Sequence, residues 1–136
     1  MSEIDLTVLI ADDDEDDLFI CQEALRKTNF KHRLMTAKNG RLLWDMLQVA
    51  RSIPDFIVLD INMPILDGLS ALALIKKDVR LGKIPVFILS TSTNPEHQKK
   101  SMSLGAKKYY VKPGSIEGFE KIFLEIVDDH LGIPQI

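Results

Sequence analysis

Five segments of the chain place side chains that can handle a phosphoryl group at the ends of apolar runs. Asp12 and Asp13 follow VLIA, and Asp60 follows FIVL. Ser90 ends the run VFILS, and Lys112 follows YYV. Three carboxylates, one hydroxyl and one ammonium can hold a divalent cation beside an aspartate that itself accepts a phosphoryl group. The residue types and their order along the chain therefore predict phosphoryl-transfer chemistry.

The apolar runs also predict the elements that position these side chains. Residues 6–11, 55–59 and 85–89 are short runs rich in Ile, Val and Leu, which is typical of strands buried on both faces. Segments 33–37 and 108–111 are weaker strand candidates. Helix-spaced apolar stripes lie between and after the strands: Leu18, Cys21 and Leu25; Leu43, Met46, Leu47 and Ala50; Leu69, Leu72 and Ile75; and Ile116, Phe119, Ile122, Phe123 and Ile126, with a more polar helix expected in 94–104.

Five alternations of strand and helix predict an α/β fold. The spacing allows right-handed crossovers, so we expect a doubly wound, five-stranded parallel sheet with helices on both faces. Ligands bind such sheets at the carboxyl ends of the strands, where all five chemical groups fall. A single strand ending in Asp60 is equally well explained by a cap on the next helix. The coincidence of five such groups favours a site.

Six consecutive acids, from Asp12 to Asp17, occupy the predicted start of the first helix. The helix dipole favours negative charge there by about 0.3–1 kcal/mol per residue, which is a sufficient reason for Asp14–Asp17. Asp12 and Asp13 precede the helix and would share a cavity with Asp60, where repulsion raises pKa values unless a cation compensates. Oxygen ligands without nearby His or Cys favour Mg²⁺.

The length and composition favour one domain. The chain has 136 residues, of which 46% are hydrophobic. We expect a single domain over 1–136, with 1–5 as an N-terminal extension, 131–136 as a C-terminal tail, and no output domain. Gly132 and Pro134 are expected to stop the last helix.

The charge and apolar patterning bear on location and partners. A net charge of -3 gives no field that would gather nucleic acid or anionic lipid. The N-terminus resembles no signal peptide, and no run approaches the ~18 apolar residues that span a bilayer. Cys21 is the only cysteine and suits a buried, reduced thiol. We therefore predict a cytoplasmic protein that binds neither nucleic acid nor membranes directly.

The stretch LDINMPILDG, together with the acid pair and the segments 85–90 and 104–113, resembles the receiver domains of two-component response regulators. The resemblance covers essentially the whole chain and implies a flavodoxin-like, CheY-like sheet of order 2-1-3-4-5. The runs SIPDFIVLDINMP and IPVFILSTSTNPE are most similar to single-domain regulators partnered with bacterial phytochromes and their relatives.

The resemblance implies a role for each site residue. Asp60 is expected to be the phosphoacceptor, and Ser90 and Lys112 to bind the phosphoryl group. Mg²⁺ is expected to be held by Asp12, Asp13, Asp60 and the backbone carbonyl of Asn62. Pro64, Gly68 and Pro113 are expected to be structural positions, with a cis bond between Lys112 and Pro113. The expected switch positions are Ser90 and Tyr109. An ordinary half-buried tyrosine with a solvated hydroxyl is the alternative for Tyr109.

The implied function is signalling rather than turnover of a substrate. We expect a sensor histidine kinase or phosphotransfer protein to donate a phosphoryl group to Asp60, with alignment and charge neutralisation replacing a general base. The added charge then biases a surface equilibrium that a downstream protein reads. Homodimerisation through the last strand and helix or the tail is a further expectation, with the tail packed on its own domain as the alternative.

Two other functions use the same groups. A phosphatase of the haloacid-dehalogenase type would also form an aspartyl phosphate, but its nucleophile comes first in the chain and a second acid follows two residues later. Here the acid pair comes first, and position 62 is Asn. A pseudo-receiver acting only as an interaction module is disfavoured by the presence of Asp60, Ser90 and Lys112.

Overall fold

Five strands and five helices alternate along the residues that the structure, a computed structural model, describes: 5–51 and 53–132. Their bounds are β1 Asp5–Ala11, α1 Glu15–Arg26, β2 Lys31–Ala37, α2 Gly40–Val49, β3 Phe56–Leu59, α3 Gly68–Lys77, β4 Val86–Ser90, α4 Pro95–Ser103, β5 Lys108–Val111 and α5 Ile116–Leu131.

The strands form one parallel sheet of order β2-β1-β3-β4-β5. The predicted doubly wound α/β fold and strand order are thereby confirmed. Every residue of β3 and β4 is buried, as expected for central strands covered on both faces. β2 begins at Lys31 rather than at 33, because it pairs with β1 along its whole length.

Two apolar clusters cover the faces of the sheet, and alternate residues of each strand enter opposite clusters. Leu9 and Ile57 join the cluster that includes the apolar faces of α2 and α3. Val8 and Val58 join the cluster that includes those of α1 and α5. This arrangement leaves the carboxyl edge of the sheet as the place where loops and strand ends meet.

Each helix is preceded by a polar capping residue whose side chain accepts one or more main-chain N–H groups: Asp14, Asn39, Asp67, Asn94 and Ser115. Gly132 caps the last helix after Leu131, and its left-handed conformation (φ 74°) suits glycine.

The chain ends differ slightly from expectation. Asp5, predicted to belong to the extension, is the first residue of β1, where it pairs with Lys31 of β2. Leu131, predicted to begin the tail, is the last residue of α5, because the helix continues until Gly132. Residues 1–4 and 133–136 lie outside the described residues. None of the helices in 5–51 and 53–132 has the length and apolar character that a bilayer span requires.

Gly68 begins α3 in a space that admits no side chain. A Cβ at this position would lie 1.9 Å from the carbonyl oxygen of Asp60. We predict that Gly68→Ala lowers the free energy of unfolding by about 1–3 kcal/mol, because the backbone must shift to remove this overlap. Urea unfolding measures the change.

Gly114→Ala is the matched control, because a Cβ at Gly114 meets nothing within 4 Å. Its free energy of unfolding should stay within about 0.5 kcal/mol of the unsubstituted protein. Equal effects of the two substitutions would contradict the steric explanation.

Candidate functional site

A buried ammonium group lies among three carboxylates at the carboxyl edge of the sheet. The Nζ atom of Lys112 lies 2.7 Å from Asp12 Oδ2 and 2.6 Å from Asp17 Oδ2. Its distance to Asp60 Oδ2 is 3.4 Å. The Lys112 side chain is only 7% exposed. Charge-assisted hydrogen bonds at these shorter distances are among the stronger polar contacts in proteins.

Asp60 directly follows β3 and is fixed by main-chain contacts. Its N–H donates to the carbonyl of Ala11 at 3.0 Å, and its Oδ1 accepts the N–H of Ile61 at 2.8 Å. The residue is 6% exposed. One carboxylate oxygen is therefore held by the main chain, while the other faces Lys112.

Asp12 follows β1, and its N–H donates to the carbonyl of Ala37 at 2.9 Å. Its Oδ1 accepts the N–H of Asp14 at 2.9 Å, and its Oδ2 contacts Lys112. Burial raises the pKa of Asp12 from 3.8 to about 6, although the hydrogen bonds from Lys112 and Asp14 oppose the rise. The folded chain thus binds a proton more tightly than the unfolded chain, and the resulting stabilisation is lost as the pH rises through about 6.

The surroundings of Lys112 act on its pKa in two directions. Burial lowers the pKa, but the hydrogen bonds to Asp12 and Asp17 and the attraction of the carboxylates outweigh burial and raise it above the ordinary lysine value. The ammonium consequently keeps its charge throughout the neutral pH range.

Asp12, Asp13 and Asp60 each offer a carboxylate oxygen, and the three oxygens lie within 4.8 Å of one another. Asp13 is exposed, whereas the other two are buried. These carboxylates together with Asp17 outnumber the single ammonium of Lys112, so the site has an excess of negative charge. A hard divalent cation such as Mg²⁺ suits this oxygen donor set and compensates that excess.

Main-chain hydrogen bonds fix the loop that follows β3 and the candidate cation site. The N–H of Gly68 donates to the carbonyl of Ile61 at 2.8 Å, and the N–H of Leu66 donates to the carbonyl of Pro64 at 2.8 Å. Ile65, between Pro64 and Leu66, has a φ of 71°. A β-branched residue in this region is strained, and such strain persists where surrounding contacts fix the loop.

Ser90 and Tyr109 are linked through Ser92. The buried Ser90 accepts the N–H of Ser92 on its Oγ at 3.2 Å. The hydroxyl of Tyr109 donates to the carbonyl of Ser92 at 2.8 Å. The Oγ of Ser92 also hydrogen-bonds Nδ1 of His97 in α4, at 2.6 Å. The Tyr109 side chain is half-buried, but its hydroxyl is bonded to the protein.

The family described as response regulator receiver domain matches residues 8–123. The chain belongs to this family. Receiver domains bind Mg²⁺ at an acidic pocket, and this chain contains an acidic cluster formed by Asp12, Asp13 and Asp60.

Individual relatives agree with this assignment. The chain is 30% identical over 129 residues to the probable methanogenesis regulatory protein FilR2 of Methanothrix harundinacea, covering 92% of this chain and 83% of the relative. It is also 30% identical over 132 residues to the response regulator Rcp1 of Synechocystis sp., covering 88% of this chain and 90% of that relative.

Solved structures extend the likeness to three dimensions. The phosphorylated cyanobacterial phytochrome response regulator RcpA is 30% identical, with a TM-score of 0.89 and coverage of 97% of this chain and 98% of that one. The Mn²⁺-bound form of Rcp1 is 28% identical, with a TM-score of 0.85 and coverage of 96% of this chain and 98% of that one. The predicted similarity to phytochrome-associated regulators is confirmed.

The structure brings most of the predicted residues of this receiver domain together. Asp12, Asp60 and Lys112 are in contact or close approach, and Asp13 lies within the acidic cluster. Asn62 is exposed in the loop after β3. The functional roles assigned to these residues, to Ser90 and Tyr109, and to Pro64, Gly68 and Pro113 stay predictions.

One expectation about the site is wrong. The described residues contain no cis peptide bond, so the bond between Lys112 and Pro113 is trans. The trans form is the more stable one even before proline, by about 0.5–1 kcal/mol. Lys112 reaches the carboxylates with this geometry.

Sequence reasoning missed Asp17. The helix dipole was a sufficient explanation for this residue, but its carboxylate lies 2.6 Å from Lys112. The sequence does contain a signal: Asp17 precedes the buried Cys21 by four residues and therefore lies on the same face of α1.

We predict that Asp13→Asn weakens Mg²⁺ binding at least about tenfold, since losing a ligand should cost no less than losing an outer-shell partner. Because a cation that binds only the folded state stabilises it, the Mg²⁺-dependent rise in Tm should shrink accordingly. Thermal unfolding across a Mg²⁺ titration measures both effects.

Asp16→Asn is the matched control for this titration. Asp16 is an exposed acid near the same helix terminus, outside the acidic cluster. An equal loss of Mg²⁺ response in both variants would indicate a general effect of charge rather than a ligand at Asp13.

Proposed function

We propose that this receiver domain accepts a phosphoryl group on Asp60 from a partner histidine kinase or phosphotransfer protein in a Mg²⁺-dependent reaction. The observation that carries the proposal is the position of the Asp60 carboxylate, which lies 3.4 Å from the ammonium of Lys112 and belongs to the acidic cluster with Asp12 and Asp13. The ammonium of Lys112 can neutralise negative charge on an incoming phosphoryl group.

The transfer needs no proton removed from its nucleophile. A carboxylate oxygen of Asp60 forms the new bond to phosphorus, while the bond between phosphorus and the donor imidazole nitrogen breaks. The imidazole keeps the electron pair and takes a proton from solvent. The side chain of Lys112 neutralises the phosphoryl oxygens, and Asp12, Asp13 and Asp60 would hold the cation.

A bound Mg²⁺ would supply charge neutralisation and alignment at the phosphoryl oxygens. The backbone carbonyl of Asn62 is proposed as a further ligand. Ser90 is proposed to donate its hydroxyl to the phosphoryl group, with Pro64, Gly68 and Pro113 shaping the surrounding loops.

The network around Ser92 supports a switch. If the Ser90 hydroxyl turns toward a phosphoryl group, the contact between Ser90 and the Ser92 N–H changes, and Ser92 also contacts Tyr109 and His97. We infer that phosphorylation alters the surface formed by α4 and β5, which an unidentified downstream protein reads. Self-association and a cytoplasmic location stay predictions.

Asp60→Asn tests the chemistry. Incubation with acetyl phosphate and Mg²⁺, followed by intact mass measurement, should add one phosphoryl group to the unsubstituted protein and none to the variant. Asp55→Asn is the control, because Asp55 precedes the same strand at its opposite end. Size-exclusion chromatography of the same samples tests self-association.

Each other outcome of that experiment has a meaning. No labelling of the unsubstituted protein would support the pseudo-receiver alternative. Sustained release of phosphate with many turnovers per chain would support the phosphatase alternative. Labelling that survives in Asp60→Asn would place the phosphoacceptor elsewhere.

Tyr109→Phe tests the switch, because it removes the hydrogen bond to the Ser92 carbonyl and keeps the ring. We expect labelling of Asp60 at an unchanged rate, but a smaller phosphorylation-dependent change in amide hydrogen exchange over residues 91–103. Tyr110→Phe is the control, because the Tyr110 hydroxyl instead contacts Glu125. The same exchange response in all three proteins would remove Tyr109 from the switch.

A further inference from the structure

Asp17 reaches the site from α1 rather than from the end of a strand. Its N–H donates to the capping carboxylate of Asp14 at 3.2 Å, which fixes the first turn of the helix. Its own carboxylate extends toward the sheet and contacts Lys112 at 2.6 Å. The Asp17 side chain is 23% exposed, whereas that of Lys112 is 7% exposed. The contact is therefore partly shielded from water.

The three carboxylates are not equivalent partners of Lys112. An ammonium has three donors, and Asp12 and Asp17 lie at the short distances of charge-assisted bonds. The 3.4 Å separation from Asp60 lies beyond the usual range for such a bond. The ammonium is thus held toward Asp12 and Asp17 and away from the proposed phosphoacceptor.

Asp17 also differs from Asp12 in what else it can bind. Asp12 belongs to the candidate cation cluster with Asp13 and Asp60, and Asp17 does not. A cation at that cluster would engage Asp12 but leave the contact between Asp17 and Lys112 in place. Asp17 would then be the partner that restrains Lys112.

We propose that Asp17 is a positioning residue that competes with the phosphoryl group on Asp60 for the ammonium of Lys112. This inference rests on the proposed phosphorylation of Asp60. A phosphoryl group brings about -1.5 to -2 charges and attracts Lys112 more strongly than the Asp60 carboxylate does. The contact with Asp17 opposes that movement, so it lowers both the rate of phosphorylation and the affinity for a phosphoryl group.

The surroundings of Asp17 allow the exchange. Asp17 and Lys112 both line a cavity of about 270 Å³, together with Ile20 and residues at the start of α5. The cavity is open to water, so the Asp17 carboxylate can be hydrated when the ammonium moves toward Asp60. The Asp17 carboxylate is therefore not left as a buried, unpaired charge when Lys112 moves.

Asp17→Asn is the test, because Asn keeps the size and a hydrogen-bond acceptor but removes the charge. We expect the rate of Asp60 labelling by acetyl phosphate and the affinity for beryllofluoride to rise roughly three- to tenfold, as suits the loss of one partly buried charge-assisted bond. Asp16→Asn removes an equal charge one residue away, from an exposed position, and should change neither quantity by more than about twofold.

Two further variants separate positioning from structure. Asp17→Glu restores a carboxylate and should return the labelling rate toward that of the unsubstituted protein. In a Lys112→Ala background, Asp17→Asn should have no effect on labelling, because the proposed action runs through Lys112. Circular dichroism checks folding, and Asp17→Ser replaces Asp17→Asn if the latter does not fold.

The outcomes distinguish this inference from the proposed function. If the unsubstituted protein is not labelled, the proposed function fails. If it is labelled, the role of Asp17 is overturned by labelling in Asp17→Asn that is unchanged or slower, by an equal gain in Asp16→Asn, or by a gain that persists without Lys112.

Discussion

The contact of one buried ammonium with carboxylates from separate elements is the constraint on which the site depends. Lys112 follows β5, Asp12 follows β1, and Asp17 lies in α1. A charge buried without a partner is strongly destabilising, so these elements must come together for each group to be tolerated. The parallel sheet satisfies this requirement because it brings the carboxyl ends of its strands to one edge.

The balance of charge at this edge also explains what the site can bind. The carboxylates outnumber the ammonium, and burial raises the pKa of Asp12 to about 6. A proton or a divalent cation would relieve the same excess, so the two would compete at mildly acidic pH. Next to this acidic cluster, Ser92 connects Ser90 to Tyr109 and to α4.

The acidic run after β1 shows why the contact between Asp17 and Lys112 was not predicted from the sequence. Asp12 and Asp13 belong to the acidic cluster, Asp14 caps α1, and Asp17 contacts Lys112. All are the same residue type in consecutive or nearly consecutive positions, and each is compatible with a helix N-terminus. They make different contacts because different groups lie opposite them in the folded protein. Local composition carries little information about those groups.

The strands, the helices and the residues that end the strands could be predicted from the sequence, because apolar periodicity and strand length are local properties. The sequence also predicted that Asp12, Asp60 and Lys112 lie at one edge, since the carboxyl ends of parallel strands meet at the same edge of a sheet. Tertiary structure alone decided the contact between Asp17 and Lys112, which joins residues 95 positions apart. It likewise decided the trans bond before Pro113. Such features depend on how the folded segments surround these residues, and residue type and spacing do not specify that.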